Sequence, residues 1–387
     1  MKEKISLTLA ILSISIFVMS HLAIAPAIPK LYALYHGQNP VVGLASVESL
    51  VTLPAMMITI FVVLSNFVVG LLGKKKTVLL GLILILLSGL VSFFTTNFTI
   101  VLICRLFLGI GIGLYNSLSV SMISDYYKGE ERAMMIGFRT ATLNIGKAIT
   151  TFIVGFALLI GVNYTYLVYL LVLPSLLLFY RYVPSSSEEI IPLKDANRFD
   201  KSILLLMLMT FFVGVSYIGA TIKIPSLLVN YYGYSSFYAG NMLTILAFSG
   251  IFSGLIFGKL TKWLEEKVIL LMLIMMGIGN SFYLVSNQQW LFILGSVLIG
   301  SSFVGTMSAM FYYIANHYDG KNNNFLSSLV ITAGNIGVIL TPVILTKLPE
   351  LFQLEPFVTP FYITSGLMLV NIFFYFLLKK LARRSER

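Results

Sequence analysis

Four ionisable side chains stand inside otherwise apolar stretches of this sequence. Lys147 lies in "TATLNIGKAITTF", Arg105 in "LICRLFLGIGIG", Glu48 in "LASVESLVTLPA" and His21 in "SHLAIAPAIP". A charge held at the centre of a lipid bilayer costs roughly 2.5–3.5 kcal/mol on insertion scales. Such residues therefore face a partner, water or a ligand, and they commonly mark the route of a bound solute or a proton.

Lys147 is expected near the middle of a membrane. It lies about fifteen residues beyond the loop residue Arg132, which is ~22 Å along a helix, and the hydrocarbon core is ~30 Å thick. Helical spacing places Thr140, Asn144 and Thr151 on the same face as Lys147. We expect Lys147 and Asn144 to contact an anion or a substrate, or Lys147 to act as a gate charge. The alternative is a lysine sustained by water and Asn144, with no role in transport.

Glu48 and Arg105 are expected at similar depths, ~8–9 Å below the outer surface. An ion pair between them would offset the cost of burying both. We hypothesise that Glu48 accepts a proton and that Arg105 tunes its proton affinity; a static pair, or two residues that never meet, are equally open. His21 could handle protons or be an ordinary hydrogen-bonded histidine. Arg139 is close enough to the inner end of its helix to extend to the surface.

Transmembrane helices are the elements that must position these residues. The 387 residues are 58% hydrophobic and only 11% charged, and the mean hydropathy is +0.93, whereas soluble proteins are about 25% charged. A spanning helix needs ~20 mainly apolar residues. Twelve stretches qualify, with approximate limits 6–33, 43–70, 77–96, 99–122, 133–158, 163–182, 202–220, 236–258, 268–286, 290–314, 325–347 and 359–378.

The net charge of +11 follows membrane topology and gives no indication of nucleic-acid binding. The twenty-six Lys and Arg residues divide very unevenly between the two sides. Twenty fall in inner segments if the N-terminus is inside; the others are Lys30, Lys223 and Lys347 in outer segments and Arg105, Arg139 and Lys147 within spans. The positive-inside rule then predicts a multi-pass protein of the inner (cytoplasmic) membrane with both termini in the cytoplasm.

The spans divide into two similar halves. The polar stretch "VPSSSEEIIPLKDANRFDK", residues 183–201, separates a first bundle (1–182) from a second (202–387). "NIG" at Asn144–Gly146 recurs 191 residues later at Asn335–Gly337. Repeated groups of spans are typical of secondary transporters, whose substrate site lies near the bilayer midplane. We predict an all-α membrane protein with twelve transmembrane helices in two pseudo-symmetric six-helix bundles.

Two motif regions resemble the major facilitator superfamily. The family pattern between spans 2 and 3 is Gly-x-x-x-Asp-Arg/Lys-x-Gly followed by basic residues. Here Gly73, Lys74 and Lys75 fit, while the first glycine, the acidic residue and the first basic residue are missing. In span 4, Arg105 and the glycines at 109 and 111 fit Leu-x-x-x-Arg-x-x-x-Gly-x-Gly, with valine at 101 in place of leucine.

A third region resembles the drug–proton antiporters of that superfamily. Their span 5 pattern is Gly-x8-Gly-x3-Gly-Pro-x2-Gly-Gly, and Gly137, Gly146 and Gly155 fit it. Thr150 and Thr151 replace Gly-Pro, and valine replaces one further glycine. The superfamily resemblance covers the whole chain, and the antiporter motif is degraded.

The resemblance implies two further groups of site residues. Residues at the inner surface are expected to form a reduced gating charge network, namely Gly73, Lys74, Asp125 and Arg132. Polar and aromatic residues on spans 4, 7 and 10 are expected to line a cavity, namely Asn116, Ser119, Ser216, Tyr217, Ser302, Thr306 and Tyr313.

The expected function is proton-coupled efflux of amphipathic or lipophilic compounds by alternating access. The alternatives are uptake or facilitated transport of a small anionic metabolite and, more remotely, a membrane-embedded lipid enzyme or a receptor. The single Cys104 excludes an internal disulfide, and the three histidines show no metal-ligand spacing. No nucleotide-binding motif is present. We expect a monomer in a lipid bilayer that binds a small molecule, with no metal, no nucleic acid and no cofactor other than the proton as a coupling ion.

Overall fold

The computed structural model of the protein describes residues 2–127, 129–184, 200–285, 287–318 and 320–385. In these ranges all regular structure is helical, which confirms the all-α prediction. The α-helices are α1 Lys2–Ser13, α2 Ile28–Gln38, α3 Leu44–Leu72, α4 Lys74–Phe94, α5 Phe98–Tyr126, α6 Gly129–Ile160, α7 Val172–Tyr182, α8 Lys201–Ser226, α9 Ser236–Leu264, α10 Lys267–Val285, α11 Gln289–His317, α12 Gly320–Pro342, α13 Leu348–Leu351 and α14 Thr359–Ser385.

Twelve segments of the described chain are long and apolar enough to cross a membrane, as predicted. The seventh is longer than expected, because it runs over Lys201–Tyr231 and not over 202–220. Lys223 was placed in an outer segment, and that was wrong: it lies inside α8, 1% exposed, with its Nζ donating to Thr346 Oγ1 at 2.7 Å. The lysine and Pro225 interrupt the apolar run without ending the helix, which passes into a π-helical turn at Leu227–Tyr231.

The first span is not one continuous α-helix. Between α1 and α2 the chain forms short 3₁₀ turns at Ile14–Phe17, Ser20–Leu22 and Ala25–Ala27. Pro26 and Pro29 have no amide hydrogen and cannot sustain the α-helical ladder there. As a consequence, backbone carbonyls in the middle of this span lack the amide donors that a regular α-helix would give them.

Two compact units can be distinguished by their internal contacts. The first contains α1–α7 together with Ser236–Thr244, and the second contains α8, the rest of α9 and α10–α14. The boundary between the predicted bundles falls in 183–201, of which residues 185–199 lie outside the described residues. In the first unit α5 packs against α3 and α4; in the second, α8 packs against α12 and α10 against α11.

Candidate functional site

Arg105 is fully buried in the first unit and is bound by three groups. Its Nε donates to the carbonyl of Leu50 on α3 at 2.6 Å, and its Nη1 donates to the phenol of Tyr169 at 2.5 Å. Its Nη2 donates to the carbonyl of His21. In a regular α-helix that carbonyl would accept from the amide four residues on. The break in the first span therefore supplies an acceptor for the guanidinium.

The second bond of Tyr169 joins it to the same break. Its hydroxyl donates to the carbonyl of Ser20 at 3.0 Å, so Arg105 and Tyr169 together hold the 3₁₀ region against α3 and the segment Asn163–Leu171. Hydrogen bonds of this kind offset the burial of a charge. None of the hydrogen bonds described for Arg105 goes to Glu48, the partner considered from the sequence.

Three of the predicted coupling residues nevertheless lie close together. Arg105 and Lys147 are near enough to His21 for both positive charges to act on its imidazole. Glu48 lies in α3 two residues before Leu50, whose carbonyl Arg105 binds, and its side chain is 0% exposed. Lys147 is 1% exposed and His21 8%. The spans of the first unit thus carry four buried ionisable side chains, which we call the buried charge cluster: His21, Glu48, Arg105 and Lys147.

Asn144 lies on the edge of this group. It is only partly buried, and its amide donates to the carbonyl of Thr140 at 3.1 Å, one turn back on the same helix. Thr150 likewise bonds to carbonyls of its own helix, those of Gly146 and Lys147. The polar face of α6 is therefore partly satisfied by local backbone bonds.

Asn116 and Ser119, predicted to line a cavity, form a cluster with Arg139. The guanidinium donates to Ser119 Oγ at 2.7 Å and to Asn116 Oδ1 at 2.9 Å. Arg139 was expected to extend to the surface, and that was wrong: it turns toward α5 because two hydrogen-bond acceptors lie within its reach there. The bonds place Asn116 and Ser119 in the contact between α5 and α6.

Two of the predicted inner-surface residues form an ion pair. Lys74 Nζ lies 2.8 Å from Asp125 Oδ2. Gly73 joins α3 to α4 with φ +80°, a backbone conformation that residues with a Cβ rarely adopt, and so it fixes the direction in which Lys74 emerges. The side chain of Arg132 lies outside the described residues.

The predicted cavity residues of the second unit are buried, and one of them belongs to an interhelical network. Asn280 on α10 donates to Ser216 Oγ on α8 at 3.2 Å and accepts from Thr364 Oγ1 on α14 at 3.0 Å. Tyr217 stacks on Phe303 with ring centroids 3.7 Å apart. The hydroxyl of Ser302 donates to the carbonyl three residues back on its own helix.

The remaining two members of that predicted set lie on α11. Thr306 is 0% exposed. Tyr313 is 2% exposed and stacks on His317 with ring centroids 4.1 Å apart.

The sequence interpretation missed Tyr169, Asn280 and the Lys223–Thr346 bond. A buried tyrosine hydroxyl normally needs a partner, and that rule could have pointed to Tyr169 among the tyrosines of "NYTYLVYL". In the described residues no group of three His, Cys, Asp or Glu side chains is close enough together to hold a metal ion.

Comparison with known proteins identifies the family. A sequence profile described as Major Facilitator Superfamily matches residues 7–267 and 206–387. This chain belongs to the Major Facilitator Superfamily. It is therefore a transporter and not an enzyme, and transporters of this superfamily work without a bound cofactor.

Solved structures of the superfamily have the same fold. A variant of the nucleoside transporter NupG superimposes with TM-score 0.75 at 14% identity, covering 96% of this chain and 99% of that one. A D-xylose-proton symporter superimposes with TM-score 0.75 at 16% identity, covering 96% and 97%. At these identities the likeness establishes the fold alone.

Two curated relatives from Rickettsia are also similar to this chain. An uncharacterized transporter of Rickettsia felis is 24% identical over 203 residues, 49% of either chain. Another, of Rickettsia bellii, is 24% identical over 228 residues, 54% of this chain and 55% of that one. The match thus spans about half the length of these relatives. The chain is a multi-pass membrane protein of a superfamily of secondary transporters.

Proposed function

We propose that this protein couples transport of a small anionic solute to the proton gradient. The observation that supports this most is the buried charge cluster of the first unit. Glu48 and Lys147 are 0% and 1% exposed on membrane-crossing helices, and ionisable side chains at that depth are retained for substrates, ions or protons. In this proposal Glu48 takes up the proton and Lys147 contacts the solute.

Arg105 has a different role in this proposal. Three of its five N–H donors bind two carbonyls and a phenol, so it anchors the broken first span and supplies a fixed positive charge. Lys147 lies in the interior of α6, ~20 Å from its end at Ile160 at 1.5 Å per residue. A flexible ammonium at that depth suits a bound anion better than a surface contact.

The cluster also suggests how proton and solute would be coupled. With Glu48 ionised, one negative charge lies among the positive charges of Arg105 and Lys147. Protonation of Glu48 leaves the positive charges in excess and strengthens the attraction for an anion. At a separation of ~10 Å and an effective dielectric constant of ~20 this coupling is about 1.7 kcal/mol. Binding of the proton and of the anion would then favour each other, as symport requires.

The test is transport into proteoliposomes with an imposed inward proton gradient, using a panel of labelled carboxylates and phosphate esters. We expect at least one anion to accumulate, K147Q to abolish its accumulation, and K147R to retain part of it. T142A is the matched control on the same helix, because the Thr142 hydroxyl donates to the carbonyl of Phe138, and it should leave transport largely intact. Accumulation unchanged in K147Q would contradict the role given to Lys147.

Efflux of amphipathic compounds is the second candidate, and one contact favours it. Gly146, a glycine that fits the antiporter pattern, lies so close to the first span that a Cβ there would be 2.2 Å from the carbonyl oxygen of Ile16. In the same proteoliposomes, proton-driven movement of amphipathic dyes without movement of anions would establish efflux and overturn the anion proposal.

We also propose the membrane topology and the assembly state. The protein would lie in the cytoplasmic membrane as a monomer, with both termini in the cytoplasm and bundles at 1–182 and 202–387. The excess of Lys and Arg in inner segments supports this orientation. Labelling of cysteines introduced at the two termini, from each side of intact cells, tests it.

A further inference from the structure

An ion pair in the second unit occupies the position that Lys74–Asp125 occupies in the first. Glu266 Oε1 lies 3.3 Å from His317 Nδ1. Glu266 follows Lys74 by 192 residues, and His317 follows Asp125 by the same 192 residues. In both units the pair joins the start of the third span to the end of the fourth span of that unit. The two pairs therefore join corresponding ends of corresponding spans, with their charges reversed, one residue out of step with the 191-residue offset of the "NIG" repeat.

The reversal changes how each pair relates to the helix dipoles. Lys74 is the first residue of α4 and Asp125 lies in the last turn of α5, so each charge lies at the unfavourable end of its helix. Glu266 directly precedes α10 and His317 is the last residue of α11. There a carboxylate and an imidazolium each lie at the favourable end.

The reversal also makes the second pair sensitive to protons. Lysine and aspartate side chains keep their charges across the physiological pH range, whereas an ordinary histidine changes charge between pH 5 and 8. The side chains of Glu266 and His317 are 34% and 28% exposed, so protons can reach them. Glu266 also lines an open cleft of about 340 Å³ at this end of the unit.

We propose that Glu266–His317 is a pH-operated ion pair that stiffens one end of the second unit on acidification, while Lys74–Asp125 is its pH-independent counterpart in the first unit. Protonated His317 binds Glu266 and ties the α9–α10 turn to the end of α11. Neutral His317 can still donate from Nδ1 to the carbonyl of Tyr313, 3.1 Å away, but it no longer attracts Glu266 by charge, and the turn is released. Because the pair is partly exposed, protonation shifts the balance between tied and released forms on the order of twofold to fivefold.

Other titratable groups face this pair. The cleft and the ring stack place Glu265, Lys267, Tyr312, Tyr313, Tyr375 and Lys379 beside it. At the adjoining start of α8, Asp200 accepts hydrogen bonds from Tyr318. The carboxylates of Glu265 and Glu266 are opposed by the ammonium groups of Lys267 and Lys379. Of the described groups around the cleft, His317 is the one histidine.

A tryptophan reporter allows a test that does not depend on transport. The chain has two tryptophans: Trp263, 89% exposed in the last turn of α9, and Trp290 at the opposite end of α11 from His317. In W290F, Trp263 reports on the turn that carries Glu266. We expect its fluorescence anisotropy in lipid nanodiscs to rise between pH 8 and pH 5.5, and this rise to be lost in H317Q and in E266Q.

Four further variants make the result decisive. D125N, which breaks the first pair, and H36Q, which removes a histidine of the first unit, should both leave the Trp263 response intact. The double variant E266K/H317D gives the second unit the polarity of the first and should hold the anisotropy at its acid value from pH 5.5 to pH 8. A response that persists in H317Q, that is lost in D125N, or that still titrates in E266K/H317D would overturn the proposal. E48Q should leave the response unchanged, so the outcome is independent of the proposed coupling at Glu48.

Discussion

Replacing Gly146 or Gly337 by alanine tests one close helix contact in each unit. These glycines are the repeated residues of the two "NIG" sequences. A Cβ at Gly146 would lie 2.2 Å from the carbonyl oxygen of Ile16, and one at Gly337 would lie 2.3 Å from that of Phe211. Ordinary Cβ contacts are 3.4–4 Å, so the first span of each unit would have to move by ~1 Å.

The expected cost follows from two opposing terms. Overpacking of this kind costs about 1–3 kcal/mol, while alanine gains about 1 kcal/mol over glycine inside a helix. Gly366 on α14 is the matched control, because a Cβ there meets nothing within 4 Å and G366A keeps the helix gain alone. G146A and G337A should therefore be less stable than G366A by about 1–3 kcal/mol.

The assay is the apparent melting temperature in detergent at a fixed scan rate, since unfolding of such proteins is often irreversible. We expect G146A and G337A to melt several degrees below G366A, and G146L to melt lower still. Equal melting temperatures of G146A and G366A would refute the close approach of α6 to Ile16. A loss in G146A without a loss in G337A would refute the equivalence of the two contacts.

Three other perturbations follow from the described contacts. Y169F removes the phenol hydroxyl bound to Arg105 and Ser20 and should lower the free energy of unfolding by about 1.5–3 kcal/mol, as for a hydrogen bond to a charge. Y164F, at an exposed tyrosine, is the control. An unchanged melting temperature of Y169F would contradict the role of Tyr169 in anchoring the first span. N280A breaks the hydrogen bonds to Ser216 and Thr364 and should lower the free energy of unfolding by about 1–3 kcal/mol. S308A loses a hydrogen bond within its own helix and should change stability little. Equal losses of stability in the two variants would contradict the interhelical network. Burial and the neighbouring Asp200 raise the pKa of the Tyr318 phenol in the folded protein. The Tyr318–Asp200 contact therefore stabilises the fold fully below the pKa of the phenol in the unfolded chain, and this stabilisation is lost as the pH rises through the pKa of the phenol in the folded protein. The ionisation of Tyr318 can be followed as the difference in ultraviolet absorbance between the parent protein and Y318F as the pH is raised. D200N should lower the pH at the midpoint of this ionisation, and an unchanged midpoint would contradict the Tyr318–Asp200 contact.

The spans could be read from the sequence because hydropathy depends on composition alone. Twelve apolar runs are visible without knowledge of their neighbours, and the structure has twelve candidate spans in the described ranges. Lys223 was misplaced for the same reason, since hydropathy cannot show that a lysine inside a helix has a buried partner. The prediction that Arg139 extends to the surface likewise took no account of the hydrogen-bond acceptors on α5.

The partners of Arg105 could not be derived from residue types. Two of them are backbone carbonyls, which every residue has, and the one at His21 lies in the break of the first span. Pro26 and Pro29 indicate a break, but its geometry depends on packing against α3 and α5. The reversed ion pair could not be derived from the 191-residue repeat, because that offset relates Lys74 and Asp125 to Glu265 and Asn316, each one residue before a member of the pair.

The central functional claim is that Glu48 carries the coupled proton. The most direct measurement is solute-driven proton movement, recorded with a pH-sensitive dye trapped in proteoliposomes, beside solute exchange at equal pH on the two sides. We predict that E48Q still exchanges solute but moves no protons, and that E48D does both. Proton movement by E48Q at the parent rate would contradict the account.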